Sequence, residues 1–85
     1  MPRVSEFFGV VVSMYHREHG PPHFHALHKG QEVVMSLTGV VLKGRLSPRA
    51  LRLVREWAAL HHRELRRNWL RARRGLDLGR IAPLE

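Results

Sequence analysis

Five of the seven histidines lie within thirteen positions, between residues 16 and 28. Two of them, His23 and His25, alternate with Phe24 and Ala26. On a β-strand, residues i and i+2 share a face, so these two imidazoles are predicted to project together. A pair of imidazoles can bind a divalent metal ion or exchange protons with a substrate. This pair is the strongest chemical feature of the sequence.

The first chemistry that this spacing allows is metal binding. Two imidazole nitrogens from one strand need a further ligand, and the preceding loop offers His16, Glu18 and His19. The chain contains no cysteine, so a metal such as zinc would depend on imidazole and carboxylate ligands. If a metal is bound, its predicted ligands are His19, His23 and His25. The H-x-H spacing is a weak signal by itself, and no cofactor is predicted outright.

The second chemistry is acid–base catalysis without a metal. Imidazole changes charge near neutral pH, so one ring can accept a proton while another donates one. Cleavage of RNA by its own 2′-hydroxyl needs such a pair, and a cation to stabilise the charged phosphorane. His19, His23 and His25 are the predicted catalytic residues, with Arg17 or Lys29 as the cation. The structural alternative is that these histidines hydrogen-bond the backbone of a proline-constrained turn.

The elements that position the histidines are predicted strands of an antiparallel meander. The apolar N-terminal stretch, rich in β-branched residues, is predicted to form one strand. Gly20-Pro21-Pro22 ends it, and Lys29-Gly30 and Thr38-Gly39 supply later turns. The predicted strands cover residues 10–14, 23–28, 32–37 and 40–42.

The second half of the chain is predicted to be an amphipathic helix. Ser47 suits the N-cap, Pro48 the first helical position and Gly75 the C-terminal stop. A continuous helix of about 26 residues would be nearly 40 Å long, so a break near His61-His62 is the alternative. Residues 75–85 are predicted to be irregular and to pack back on the domain. The fold class is therefore α+β: a small antiparallel β-meander packed against one long or broken C-terminal helix, in a single domain of residues 1–85.

The basic charge is concentrated in that helix. The formal net charge is +8, and residues 47–74 contribute nine arginines against two glutamates, or +7 of that total. Such a segment attracts polyanions, although a merely solvated basic face is the alternative. His61 projects to the apolar arc, as a core residue or as a contact to the histidine strand. The predicted binding residues are Arg17, Glu18, Arg52, His61, Arg63 and Arg66.

The motif YHREHGPPHFHA at residues 15–26, followed by ALRLVREWA at 50–58, resembles the small prokaryotic proteins of the domain of unknown function 4160 family. The resemblance covers nearly the whole chain. It implies a toxin–antitoxin module in which this family takes the part of the toxin and proteins of domain of unknown function 2442 are the partner. The residues that it carries over are Glu18, His19, Pro22, His23, Phe24, His25, Ala26, Trp57 and His61.

The function expected from these observations is that of a toxin-like component of a type II toxin–antitoxin module, acting on RNA or translation through its histidines. If it is an enzyme, it is expected to be a metal-independent ribonuclease with an acidic antitoxin-like protein, and RNA, as partners. The alternative is a non-catalytic metal- or partner-binding module whose basic helix docks an acidic protein or nucleic acid. The composition favours a cytoplasmic protein with no membrane segment. The oligomeric state is left open, with a homodimer as one alternative.

Overall fold

The computed structural model describes residues 2–85, which form one antiparallel sheet of five strands in the order β1-β2-β3-β4-β5, together with two helices. This confirms the predicted α+β meander. The N-terminal stretch, predicted as one strand, instead forms a hairpin of two. The elements are β1 (Arg3–Phe7), β2 (Val10–Ser13), β3 (His23–His28), β4 (Gln31–Ser36), β5 (Val41–Gly44), α1 (Pro48–Leu60) and α2 (His62–Arg73).

Two-residue turns set the register of the first and third hairpins. Phe8-Gly9 joins β1 to β2, and Lys29-Gly30 joins β3 to β4, each with positive φ at both residues. This backbone matches the type I′ turn, whose twist suits antiparallel strands. The Lys29-Gly30 turn pairs His28 with Gln31 and therefore His25 with Val34. The position of the histidine pair relative to β4 thus follows from a turn of two residues.

The core lies between one face of the sheet and the helices. Phe24 and Ala26 of β3 are fully buried on that face, and the ring centroid of Phe24 lies 5.8 Å from that of Trp57 in α1. Because side chains alternate along a strand, His23 and His25 project to the opposite face, as predicted.

The C-terminal helical segment is broken at His61, whose φ of −118° and ψ of 28° are not helical. A single continuous helix is therefore wrong, and the alternative with a break is correct. The break lets each helix bury its own apolar stripe. The buried residues are Ala50, Val54, Trp57 and Ala58 in α1, and Leu65, Asn68, Trp69 and Ala72 in α2.

The chain after α2 is irregular and packs back on the domain, as predicted. Trp57 Nε1 donates to the carbonyl oxygen of Ala82 at 2.9 Å, and the backbone N–H of Ile81 donates to Val4. The buried Asn68 side chain donates to the carbonyl of Gly79 and accepts from its N–H. These bonds hold the tail against both helices and β1. Within residues 2–85 no helix combines the length and apolar character needed to cross a membrane.

Candidate metal centre

Glu18, His23 and His25 converge on one point at the start of β3. Oε1 of Glu18 lies 3.1 Å from Nε2 of His23 and 2.9 Å from Nε2 of His25. The three atoms that could bind a metal all lie within 4.8 Å of one another. One carboxylate oxygen is therefore shared by two imidazole nitrogens.

The loop between β2 and β3 brings Glu18 to the histidines. Arg17, with φ of 59°, adopts the left-handed conformation that is uncommon for a residue with a side chain. Its backbone N–H donates to the carbonyl oxygen of Ala72 at 3.1 Å, which fixes the loop to the last turn of α2. Gly20, with φ of 94°, reverses the chain again before the two prolines. These turns direct Glu18 back toward the strand that follows it.

The Nδ1 atoms of both histidines are bound to groups that only accept hydrogen bonds. His23 Nδ1 lies 2.8 Å from the carbonyl oxygen of Pro21, and His25 Nδ1 lies 2.9 Å from Oε2 of Glu32. Each Nδ1 must therefore carry a proton and donate it. In a neutral imidazole the other nitrogen, Nε2, then has a lone pair and no proton.

Two lone pairs directed at one carboxylate oxygen would repel it, so the arrangement requires positive charge between Glu18 and the rings. Two protons, one on each Nε2, satisfy this requirement, and a single divalent cation supplies the same charge. The bond from His25 to Glu32 resembles the arrangement in metalloproteins, where a carboxylate accepts a hydrogen bond from the second nitrogen of a metal-binding histidine and so orients the ring. The geometry thus suits a cation bound by the two Nε2 atoms and Glu18.

Aromatic side chains enclose the centre on two sides. The Tyr15 ring meets the His25 ring edge-on, with ring centroids 4.7 Å apart. The ring centroids of Trp69 and His23 are 5.0 Å apart. Solvent reaches the centre mainly through Glu18, whose side chain is 29% exposed, against 9% for His23 and 17% for His25.

Tyr15 has a raised pKa, so its phenol is neutral at physiological pH. Burial is the main cause, and the negative charges of Glu32 and Glu18 act in the same direction. A side-chain hydrogen bond with Ser13 opposes them. The Tyr15 ring that packs against His25 therefore carries a protonated hydroxyl group.

His19, predicted as a ligand and catalyst, is exposed and is not one of the three converging residues. The structure brings Glu18, its neighbour, to the pair instead. His19 lines a shallow hollow with Arg17, Glu18 and Arg73. The sequence offered His16, Glu18 and His19 as alternatives for the third group, and of these the structure places Glu18 beside the pair.

His61, the predicted contact between helix and histidine strand, is not part of the centre either. Its Nδ1 lies 3.0 Å from Oε1 of Glu64, and its ring packs on Trp57 with centroids 5.7 Å apart. It therefore lies at the break between the helices. Arg52 and Arg63 are exposed on the helices, whereas Arg66 lines a hollow beside the centre.

Sequence reasoning missed two residues of the centre, Glu32 and Tyr15. The signal for Glu32 was the Lys29-Gly30 turn, since a two-residue loop after His28 pairs Leu27 with Glu32 and places that carboxylate on the His25 face. Tyr15 lies two residues beyond Ser13, which pairs with His25. Its position follows from the continued alternation of side chains past the end of β2.

The sequence profile of a family described as domain of unknown function (DUF4160) matches residues 9–70. This segment is most of the chain and includes Glu18, His23 and His25, together with Tyr15 and Glu32. No curated protein and no solved structure matched the chain significantly.

Proposed function

The chain belongs to the DUF4160 family, and we propose that it acts through a divalent metal ion of the zinc class bound by Glu18, His23 and His25. One observation carries this proposal: two Nε2 atoms, each opposite an Nδ1 that must donate, face the same carboxylate oxygen. A cation at that point removes the repulsion between lone pairs and carboxylate.

The two separations from the Glu18 carboxylate suit an ion of this size. Zinc binds imidazole nitrogen and carboxylate oxygen at about 2.0–2.2 Å, so two ligand atoms at tetrahedral positions are about 3.4 Å apart. The observed separations of 3.1 and 2.9 Å between Oε1 and the two Nε2 atoms would widen by only a few tenths of an ångström. Nitrogen and oxygen donors without thiolate also suit iron(II), which binds two histidines and a carboxylate in non-haem sites.

A metal site with three protein ligands is typical of a site that binds water or substrate, and not of a purely structural metal site. Structural zinc sites are closed by four protein ligands, whereas catalytic sites keep a position for water or substrate. Water bound at such a position is acidified and becomes a nucleophile near neutral pH. The partial exposure of Glu18 is consistent with access to that position.

Calorimetric titration of zinc and of iron(II) into metal-depleted protein, purified without a histidine tag, tests the proposal. We expect about one ion per chain and a thermal stabilisation that grows with metal concentration, about 2.7 kcal/mol at a hundred times Kd. Glu18→Gln and His25→Ala should lose this response. His28→Ala, in the same strand but on the opposite face, should keep it. The proposal fails if neither ion binds stoichiometrically, or if the His28 variant loses binding as fully as the His25 variant.

A second candidate is the toxin-like cleavage of RNA without a metal, by the same two imidazoles. It is favoured by the side-by-side placement of the rings, whose centroids are 5.5 Å apart, because one protonated and one neutral ring can act as acid and base. In this case an acidic antitoxin-like protein would be the natural partner of the basic helices. Cleavage that continues in excess chelator and is lost in His23→Ala would favour this candidate over the metal.

A further inference from the structure

A cleft rich in arginine lies beside the metal centre, on the side of Pro22 and the C-terminal part of α2. One hollow, of about 420 Å³, is lined by Pro22, Arg66, Trp69, Leu70, Arg73 and Arg74. A second hollow is lined by Arg17, Glu18, His19 and Arg73. Arg73 borders both, so they adjoin. We call the two together the arginine cleft.

The fold gathers these guanidinium groups from separate parts of the chain. Arg66, Leu70 and Arg73 follow one another at spacings of four and three, which places them on one face of α2. Arg17 arrives from the loop between β2 and β3, and its Nη2 would lie 3.0 Å from a Cβ atom added at Gly75. Glycine at that position therefore leaves room for the Arg17 side chain at the end of α2.

The positive charges of the cleft are not compensated within the chain. Among the described residues 2–85, the side chains of Arg17, Arg66, Arg73 and Arg74 make no ion pair or hydrogen bond. Glu18 borders the cleft, but its Oε1 is directed at the histidines. Four like charges along the two adjoining hollows repel one another, and the repulsion is relieved when an anion binds.

We propose that the arginine cleft binds single-stranded nucleic acid, with phosphates on the guanidinium groups and a base on the apolar floor. Guanidinium matches the oxygens of a phosphodiester in a bidentate manner. Pro22, Trp69 and Leu70 line the hollow as apolar residues on which an unstacked base can pack, so the cleft favours a single strand over a duplex. An acidic protein would match the charge but not this small apolar floor.

The cleft shares one residue, Glu18, with the proposed metal ligands and extends past the segment that the family profile matches. Arg73 and Arg74 follow residue 70, where that match ends. Because Glu18 lines the hollow between Arg17 and Arg73, a phosphate held there would lie beside the proposed metal ion. Binding to the cleft does not require the metal, so each proposal can fail without the other.

The test is the salt dependence of binding to a labelled single-stranded RNA of mixed sequence, in excess chelator. Each phosphate contact contributes a slope of about −0.7 to log K against log salt for a single strand. Arg66→Ala/Arg73→Ala should make the slope about 1.4 shallower and weaken binding at low salt at least tenfold. Arg45→Ala/Arg49→Ala removes the same charge at two exposed positions outside the cleft and should keep the wild-type slope. Circular dichroism of both variants checks that the fold is retained.

Three further arms decide the class of ligand and separate this proposal from the metal. A DNA strand of the same sequence should bind as RNA does, because the phosphodiester is shared, whereas a duplex and polyglutamate should bind more weakly. Glu18→Gln should lose metal binding and bind RNA at least as tightly as the wild type, because it removes a negative charge from the edge of the cleft. Equal loss of slope in the two double variants, or tighter binding of duplex or polyglutamate than of the single strand, would overturn the proposal.

Discussion

His25 donates through Nδ1 to the carboxylate of Glu32 on the neighbouring strand, at 2.9 Å, so that its other nitrogen faces Glu18. This bond fixes both the tautomer and the rotation of the ring. It also joins the centre to β4, which contributes none of the three converging ligand atoms. The centre therefore consists of three candidate ligands and a supporting carboxylate.

Removing that supporting carboxylate should weaken metal binding without abolishing it. Glu32→Gln is expected to lower the affinity for zinc about 10- to 100-fold, because the His25 ring loses its orienting acceptor and part of its basicity. Calorimetric titration measures the change. Glu56→Gln, an exposed glutamate of α1, is the matched control and should leave the affinity unchanged. Equal zinc affinities in the Glu32→Gln and Glu56→Gln variants would show that Glu32 does not support His25 as a ligand.

Metal binding should release protons at mildly acidic pH, because an ion replaces any proton bound to the same Nε2 atoms. We expect up to two protons per ion, and an affinity that falls as the pH is lowered from neutral. Calorimetry in buffers of different ionisation enthalpy counts the protons directly. Binding with no proton release at mildly acidic pH would show that the ion does not compete with protons for the Nε2 atoms.

Tyr15 should ionise above the ordinary tyrosine pKa of about 10 in metal-free protein. It is the single tyrosine of the chain, so the near-ultraviolet absorbance of phenolate reports on it alone. Burial is the main cause of the raised pKa, and Glu32→Gln should therefore bring it only part of the way back. Glu56→Gln should leave it unchanged. A Tyr15 pKa at or below the ordinary value would contradict the described environment.

The same shift predicts how stability depends on pH. A raised pKa in the folded state means that the folded protein holds the phenol proton more tightly than the unfolded chain does. The contribution of Tyr15 to stability is therefore complete below the unfolded pKa and declines as the pH rises toward the folded value. The free energy of unfolding of Tyr15→Phe, measured by urea titration, should decline less over this alkaline range than that of the wild type.

Gly44→Ala should destabilise the protein more than other glycine substitutions of similar backbone conformation. Gly44 has φ of 75°, and a Cβ atom there would clash with the carbonyl group of Glu32. Gly30 has φ of 78° with open space around it, so Gly30→Ala measures the backbone cost alone, about 1 kcal/mol. The additional loss in Gly44→Ala, from urea unfolding, reports the close approach of β5 to β4. Equal losses would contradict that approach.

Alternation and turn chemistry were sufficient to predict the histidine pair. His23 and His25 share a face because a strand has a period of two, and Lys29-Gly30 predicted the following hairpin turn. The helix limits were also close, since Ser47 is the N-cap and accepts a hydrogen bond from the N–H of Ala50.

The third group of the centre could not be predicted, because it depends on a loop rather than on a repeating element. Glu18 and His19 are adjacent, and the left-handed backbone of Arg17 decides which one faces the strand. That conformation is stabilised by a bond to Ala72, which is distant in sequence. The arginine cleft could not be predicted from the sequence either. Helical periodicity predicts the faces of α2, but it does not predict which loop packs against each face.

The hydrogen bond from Arg17 to Ala72 makes the distance between Glu18 and the two histidines depend on the last turn of α2. A shift of the last turn of α2 would be passed through this bond to the residue that precedes Glu18, while His23 and His25 stay fixed in the sheet. The backbone of His61 is not helical, so α1 and α2 do not form one continuous helix. A molecule that binds the end of α2 would therefore change the position of Glu18 relative to the two histidines.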